Sequence, residues 1–274
     1  MKRTSAILLT ILLAISMVSL MTPAVSADAQ GDFEYEIIND EAHVAAYTGA
    51  GGNISIPAEL GGYPVTGIYG DVFRDNLSIT GVTIPQGVRE IGGWAFSGCK
   101  SLASVTFPDS LTKIGAAAFA LCESLASVSF PSGLTQIGAL AFYGCISLTS
   151  IVIPSGVLGI DPAAFALCKN LVSVTLPDNV IAIVEYAFQG CDSLKSITIP
   201  KSVRSIGDMA LGYASNGTQI QSFKIRCYKD SAGQKYAEDG DFLYELADGS
   251  FFDNIYRFFM NIYLQILFYF DLRG

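Results

Sequence analysis

The chain has 274 residues, with 16 Lys and Arg against 25 Asp and Glu, one His, six Cys and 27 Gly; 15% of its residues are charged and 51% are hydrophobic. Globular chains carry about 25% charged residues, so this composition excludes disorder as the main state. A net charge of −9 argues against a nucleic-acid surface, and the single His43 is the only base open to a Ser/His/Asp or Cys/His device.

The N-terminus has the marks of a secretory signal: Met1-Lys2-Arg3, then an apolar run from Ala6 to Leu20, then small residues up to Ala27. That run is shorter than the ~20 residues needed to span a bilayer, so residues 1–27 are expected to be removed on export. Lys2 and Arg3 would leave with them, taking the formal charge to −11. Next come FEYEIIN and EAHVAAY, which alternate around Asn39-Asp40 and predict a β-hairpin over the first open edge of the fold. His43 lies in this hairpin and is expected at the surface.

A fixed period organises the middle of the chain. Cys99, Cys122, Cys145, Cys168 and Cys191 recur every 23 residues, and three residues before each stands Phe96, Phe119, Phe142, Phe165 or Phe188. Phe73 extends that row upstream, with Asn76 in the cysteine position. In the unit from Ser101 to Glu123, Val105 and Phe107 alternate with Ser104 and Thr106 as in a strand, and Pro108 ends the ladder because it has no N–H. Leu111 and Ile114 fill the next side, Gly115 allows a turn, and Ala118-Phe119 close the wall. One unit cannot bury this set alone, so stacked units must share a core as a parallel-strand solenoid.

The unit resembles the leucine-rich repeat family, in its bacterial BspA-like surface-protein class, and Leu194, Ile197, Ile199, Pro200, Val203, Ile206 and Gly207 also match that pattern. The resemblance covers roughly residues 31–246. It implies an α/β solenoid (leucine-rich repeat), mainly β, with parallel strands on one face, short turns or 3-10 segments, an N-terminal hairpin cap and a C-terminal helix-strand cap. It also implies an exported protein that adheres or binds, with no catalytic site and no cofactor. The expected divisions are a signal (1–27), a cap hairpin with the first strand (28–57), the repeat solenoid (58–223), a C-terminal cap (224–250) and an apolar tail (251–274).

Departures from the repeat are local. Asp161 and Val184 replace the turn Gly, Leu211 replaces Phe, and Ala214 replaces Cys. About three extra residues around Ser215-Asn216-Gly217 are expected to push the ladder out of period. Beyond them, Ser231 or Asp230 is placed to cap a short helix, Ala232 to Asp239, that Gly240 ends before a last strand, Phe242 to Leu246. The tail NIYRFFMNIYLQILFYF sets Asp253, Arg257, Asn261 and Gln265 on one helical stripe. Three readings stand for it: a helix docked on the open end, membrane contact, or a non-native end.

Candidate sites follow from the columns. Cys99, Cys122, Cys145, Cys168 and Cys191 form a structural row of thiols, with disulfides between stacked neighbours as the alternative; the spacing lacks the close pairs a zinc site needs. Cys227 lies off this row. Outward strand positions give two hydroxyl rows: Ser104, Ser127, Ser150, Ser173, Ser196 and Ser222 beside Thr83, Thr106, Ser129, Thr175 and Thr198, with Val152 interrupting the second. These make the candidate binding face. Ser and Thr also simply suit exposed strands. Val152, Leu158, Ile181 and Val184 define a candidate apolar patch, and Trp94 is either a contact residue or ordinary packing. Glu238, Asp239 and Asp241 lack the spacing of a calcium loop.

The function expected is a secreted or cell-surface, non-enzymatic bacterial protein. Its partner would be a protein or glycan on a host, a neighbouring cell or its own envelope. A self-assembling envelope role is the alternative, and a hydrolase lacks convergent carboxylates.

Overall fold

A computed structural model describes residues 28–248; the signal segment (1–27) and the tail (251–274) lie outside the described residues. The chain winds into a solenoid whose coils expose three sides. On the first, short strands such as Ile79–Thr83, Ser104–Thr106, Ser150–Val152, Ser173–Thr175 and Ser196–Thr198 run parallel. On the second, two-residue strands at Glu90–Ile91, Lys113–Ile114 and Gln136–Ile137 pair in register, so Ile91, Ile114 and Ile137 stack inward. The solenoid therefore has a second ladder where the sequence placed only apolar filling.

The third side explains the Ala-Phe-x-x-Cys signature. Each phenylalanine N–H donates to the carbonyl of the alanine before the next coil's phenylalanine: Phe96 to Ala118 at 2.7 Å, Phe119 to Ala141 at 2.8 Å, Phe142 to Ala164 at 2.8 Å. The same phenylalanine's carbonyl accepts the next coil's thiol, as Cys145 Sγ to Phe119 O at 3.2 Å and Cys168 Sγ to Phe142 O at 3.2 Å. The alanine and cysteine N–H groups bond within their own coil, as Ala118 to Gly115 O and Cys122 to Phe119 O at 3.3 Å, so the motif's polar groups are satisfied partly within the coil and partly from its neighbour. The rings stack in a continuous column, nearly parallel, from 4.6 Å between the centroids of Phe73 and Phe96 to 5.5 Å between those of Phe165 and Phe188.

This tight side needs backbone that few side chains favour. Two residues before each column phenylalanine the chain is left-handed, at Asp71 (φ 61°), Trp94 (62°), Ala117 (54°), Leu140 (60°), Ala163 (52°) and Tyr186 (60°), and Met209 (53°) holds the same place before Leu211. A second left-handed position follows two residues after it and alternates Gly98, Leu121, Gly144, Leu167, Gly190. The alternation has a steric cause: a Cβ on Gly144 would sit 2.8 Å from Leu121 Cδ2, and one on Gly190 would sit 2.5 Å from Leu167 Cδ2. Each leucine covers the glycine of the next coil. Gly115, expected to serve a turn, has no positive φ; it is small because a Cβ there would meet Gly93 N at 2.6 Å.

Both ends are covered. Phe33–Ile38 and Glu41–Tyr47 form the expected hairpin, with Asn39 (φ 52°) and Asp40 (φ 61°) in its turn. Asp28–Gln30 adds an antiparallel strand to it. Tyr47 extends the ring column, 5.2 Å from Phe33 and 5.3 Å from Phe73. At the other end Ser231 caps the helix Ala232–Asp239, its Oγ accepting Gln234 N–H at 3.3 Å, and Gly240 ends it. Leu211 N has no following coil to bond, and the Tyr236 hydroxyl accepts it at 3.1 Å while donating to Leu211 O at 3.0 Å. Leu243–Leu246 then closes the first side, parallel to Lys224–Cys227.

The ladders are interrupted in two informative places. No strand forms at 126–130 and no pairing joins Ser104–Thr106 to the next coil. Phe107 and Phe130 stack there at 6.1 Å, wider than the ~4.8 Å between paired strands, and each presses edge-on against a column phenylalanine. Two large rings in one wall splay the coils beyond hydrogen-bonding reach. On the second side, Gln136–Ile137 does not pair with Gly159–Ile160. The next residue is Asp161, a half-buried carboxylate without a hydrogen bond or ion pair among the described residues. Val184 stands in the same column, yet its N–H still reaches Ile160 O at 2.9 Å, so a side chain alone does not break the ladder.

Burial holds the Asp161 carboxyl above the usual aspartate range. Its pKa is therefore higher folded than unfolded, and the stability it contributes below the unfolded pKa is lost as pH rises through the folded one. Asp161→Asn should then raise the melting temperature at neutral pH, with the gain shrinking as pH falls. Thermal unfolding of both chains across that range checks it; an equal gain at every pH would show that charge is not the cause.

Candidate binding face

The first side presents the hydroxyl rows outward. Ser104, Thr106, Ser127, Ser129, Ser150, Ser173, Thr175, Ser196 and Thr198 are all exposed, and register pairs Ser150 with Ser173 and Val152 with Thr175. Beneath them Val82, Ile151 and Ile197 face the core, while Val105, Val128 and Val174 are only half-buried. Ser127 and Ser129 keep the outward alternation but lie on the splayed coil, outside any strand.

Register corrects the lower end of this face. Ser196 pairs with Lys224 and Thr198 with Arg226, so Ser222 does not continue the row. That step is 28 residues instead of 23, so the insertion adds five positions, not three. The face ends in cations held by one carboxylate: Lys224 Nζ and Arg226 Nε lie 3.7 and 3.6 Å from Glu245.

The hydroxyls of the two ladders differ in their commitments. On the second side Thr112 Oγ1 donates to Arg89 O and Thr135 Oγ1 to Thr112 O, both at 3.0 Å, stitching coil to coil. Among the described residues, none of the strand-face hydroxyls named above makes a side-chain hydrogen bond within the chain. They keep their whole donor and acceptor capacity for solvent or a partner.

Exposed apolar residues divide between the sides. Val152 (64% exposed) and Val172 (59%) flank the hydroxyl rows, whereas Leu158 (51%) and Ile181 (39%) stand on the second side, where Ile181 N donates to Leu158 O at 2.7 Å. Val184 is half-buried and drops out of the expected patch. Trp94 is also half-buried, with the Arg74 guanidinium 4.9 Å from its ring.

His43 is not a bare surface residue. It is half-buried, stacks on Tyr69 at 5.3 Å and lines a cavity of about 340 Å³ with Thr66, Arg89 and Glu90. Around it Glu41 accepts from Thr66 Oγ1 at 3.0 Å and pairs with Arg89, which lowers the Glu41 pKa and raises that of Arg89. Glu36 accepts from the Tyr69 hydroxyl at 3.1 Å. The acids beside His43 are thus engaged in hairpin contacts, and no Ser or Cys nucleophile lines that cavity.

All six cysteines are free thiols and buried, including Cys227. Burial pushes the Cys99 and Cys168 thiols up to about 12, and Cys122, Cys145 and Cys191 well above their ordinary value. The attacking form is the thiolate. Ellman's reagent should therefore find no reactive thiol in the native protein and all six after unfolding in guanidinium; rapid labelling of the native column would contradict this burial. Among the described residues no cluster of His, Cys, Asp and Glu could hold a metal ion, and no helix is long and apolar enough to cross a membrane.

Coils stacked at a 23-residue period, with strands on one side and a phenylalanine column behind, define a leucine-rich-repeat solenoid. The chain belongs to the BspA-type leucine-rich repeat family, whose model matches six copies over residues 66–166 and 135–232. It is similar to a leucine-rich cell surface protein from Faecalibacterium prausnitzii, with 34% identity and a TM-score of 0.67 over 74% of this chain. It spans 55% of that protein's length. It is also similar to the leucine-rich repeat protein of T. pallidum, with 33% identity and a TM-score of 0.61 over 66% of this chain and 85% of that one. Comparison with curated proteins returns no match. Membership of a bacterial surface-protein family points to binding or adhesion in general.

Proposed function

We propose that this is an exported, cell-surface protein that binds a protein or glycan through the outward face of its first ladder, without catalysing a reaction. The observation that carries the reading is the contrast between hydroxyls: Thr112 and Thr135 on the second side are bonded between coils, while Ser104, Thr106, Ser127, Ser129, Ser150, Ser173, Thr175, Ser196 and Thr198 on the strand face are left unengaged. A rigid array of evenly spaced donors and acceptors meets a partner without a folding cost at binding, so many weak contacts can sum. Val152 and Val172 add apolar area at the middle of the face. The signal-like residues 1–27 and the cell-surface protein among its relatives support export.

Glycan and protein arrays probed with the chain test this. Capture of a defined ligand supports it. Absence of any ligand, together with concentration-dependent association in sedimentation, would favour the self-assembling envelope role instead.

A further inference from the structure

The chain is acidic, and its cations are mostly neutralised one by one. Arg74 pairs with Asp71, Arg89 with Glu41, Lys100 with Glu123, Lys113 with Glu90, Lys235 with Asp239, and Lys224 and Arg226 with Glu245. Lys195 Nζ meets only a backbone carbonyl, that of Asp192. Among the described residues, four side chains have neither an acidic partner nor a hydrogen bond: Lys169, Lys201, Arg204 and Lys229. All but Lys169 line one groove.

That groove, of about 740 Å³, runs between the last regular coil and the cap helix. One wall carries Lys201, Arg204 and Ser205, and the other carries Lys229, Gln234 and Lys235. Its acids are largely committed: Asp239 holds Lys235 at 2.7 Å, and Glu238 accepts from Gln234 Nε2 at 2.8 Å and from the Tyr244 hydroxyl at 2.6 Å. Asp230 remains as an exposed carboxylate at the rim. Lys201, Arg204 and Lys229 are exposed and share this lining without an ion pair of their own among the described residues, so an anion entering the groove meets several cations at once.

We propose that this groove binds a multiply charged oxyanion, phosphate or carboxylate, with Arg204 giving a two-pronged contact and Lys201 and Lys229 acting as point charges. The site is separate from the strand face, on the second side of the solenoid and against the C-terminal cap. It gives an acidic protein one end that accepts an anionic ligand, while no Lys or Arg occurs among the described residues before Arg74.

Isothermal titration of the chain with inorganic pyrophosphate, and separately with citrate, tests it at low salt. The expected result is one-to-one binding of at least one probe, weakening as salt rises, and reduced tenfold or more by Arg204→Ser with Lys229→Ser. Preference for pyrophosphate or for citrate tells phosphoryl from carboxylate chemistry. Lys169→Ser, an unpaired cation outside the groove, should change nothing, and an unaltered melting temperature shows that the double variant folds. Three results would overturn the site: no binding of either probe, equal loss in Lys169→Ser, or salt-sensitive self-association that the double variant abolishes while neither probe binds.

Discussion

Phe142→Ala should cost about 3–5 kcal/mol and broaden the unfolding transition, because it opens a hole at the centre of the ring column. Phe142 is fully buried, lies 5.3 Å from Phe119 and 5.5 Å from Phe165, and meets Phe130 edge-on at 5.5 Å. Its backbone still bonds Ala164 O and still offers its carbonyl to Cys168, so the variant removes side-chain contacts while leaving the coil-to-coil hydrogen bonds in place. In a solenoid each coil touches only its neighbours, so a weak coil in the middle uncouples the two halves. Guanidinium unfolding followed by tryptophan fluorescence, which reports the N-terminal half through Trp94, and by circular dichroism, which reports the whole, should give two midpoints where the parent gives one. Coincident, unshifted transitions would show that the column does not couple the coils.

Gly212→Val should be comparably damaging for a different reason. Gly212 has φ 76°, a region where a β-branched residue is strained, and a Cβ there would meet Phe242 Cε1 at 2.5 Å and Phe223 Cδ1 at 2.7 Å. These rings sit between the last coil and the cap: Phe242 stacks on Tyr236 at 5.7 Å, and Tyr236 completes the hydrogen bonds of Leu211. Left-handed strain of ~1–2 kcal/mol and overpacking of ~1–3 kcal/mol both apply, so a loss of about 3 kcal/mol is expected. Gly217→Val separates the two effects. Gly217 has φ 79°, but the nearest atom to its Cβ would be Met209 Cε at 3.4 Å, so that variant should carry the strain with little clash. Equal losses in the two variants, by chemical denaturation, would mean that the Phe223–Phe242 contact contributes nothing.

The sequence shows the columns wherever the 23-residue interval holds, because Phe, Cys and the strand alternation each fall on one side of the coil by counting. It places the hairpin turn at Asn39-Asp40 and narrows the helix cap to Ser231 or Asp230 through local chemistry that needs no partner, and the structure selects Ser231. It fails where the physics lies between coils. Phe107 and Phe130 look like ordinary inward residues until their stacking spreads the wall and dissolves the strand at 126–130. The five-residue insertion shifts the end of the face from Ser222 to Lys224, which only the pairing of Ser196 reveals. Left-handed positions are hidden because Trp94, Leu140 and Tyr186 occupy them in place of glycine.

The two candidate sites differ in the same way. The hydroxyl rows are visible in the sequence as residues; what singles them out, the lack of any bond within the chain, is visible only beside Thr112 and Thr135. The cationic groove is not legible in the sequence, since Arg204 and Lys229 belong to different segments and no repeat interval relates them. The surface patch proposed from Val152, Leu158, Ile181 and Val184 divides across two sides, because a repeat period assigns a column without telling which wall it faces.

Array binding measured side by side for the parent chain, for Ser150→Arg with Ser173→Arg on the first ladder, and for Gln136→Arg on the second tests the role of the strand face most directly. Ser150 and Ser173 are paired neighbours and exposed, and Gln136 is an exposed residue of the other ladder. The expected result is that the parent and Gln136→Arg keep the same ligand signals while the serine variant loses them at least tenfold, with unchanged melting temperatures. Retention of binding by the serine variant, or its loss in Gln136→Arg alone, would contradict a partner seated on the strand face.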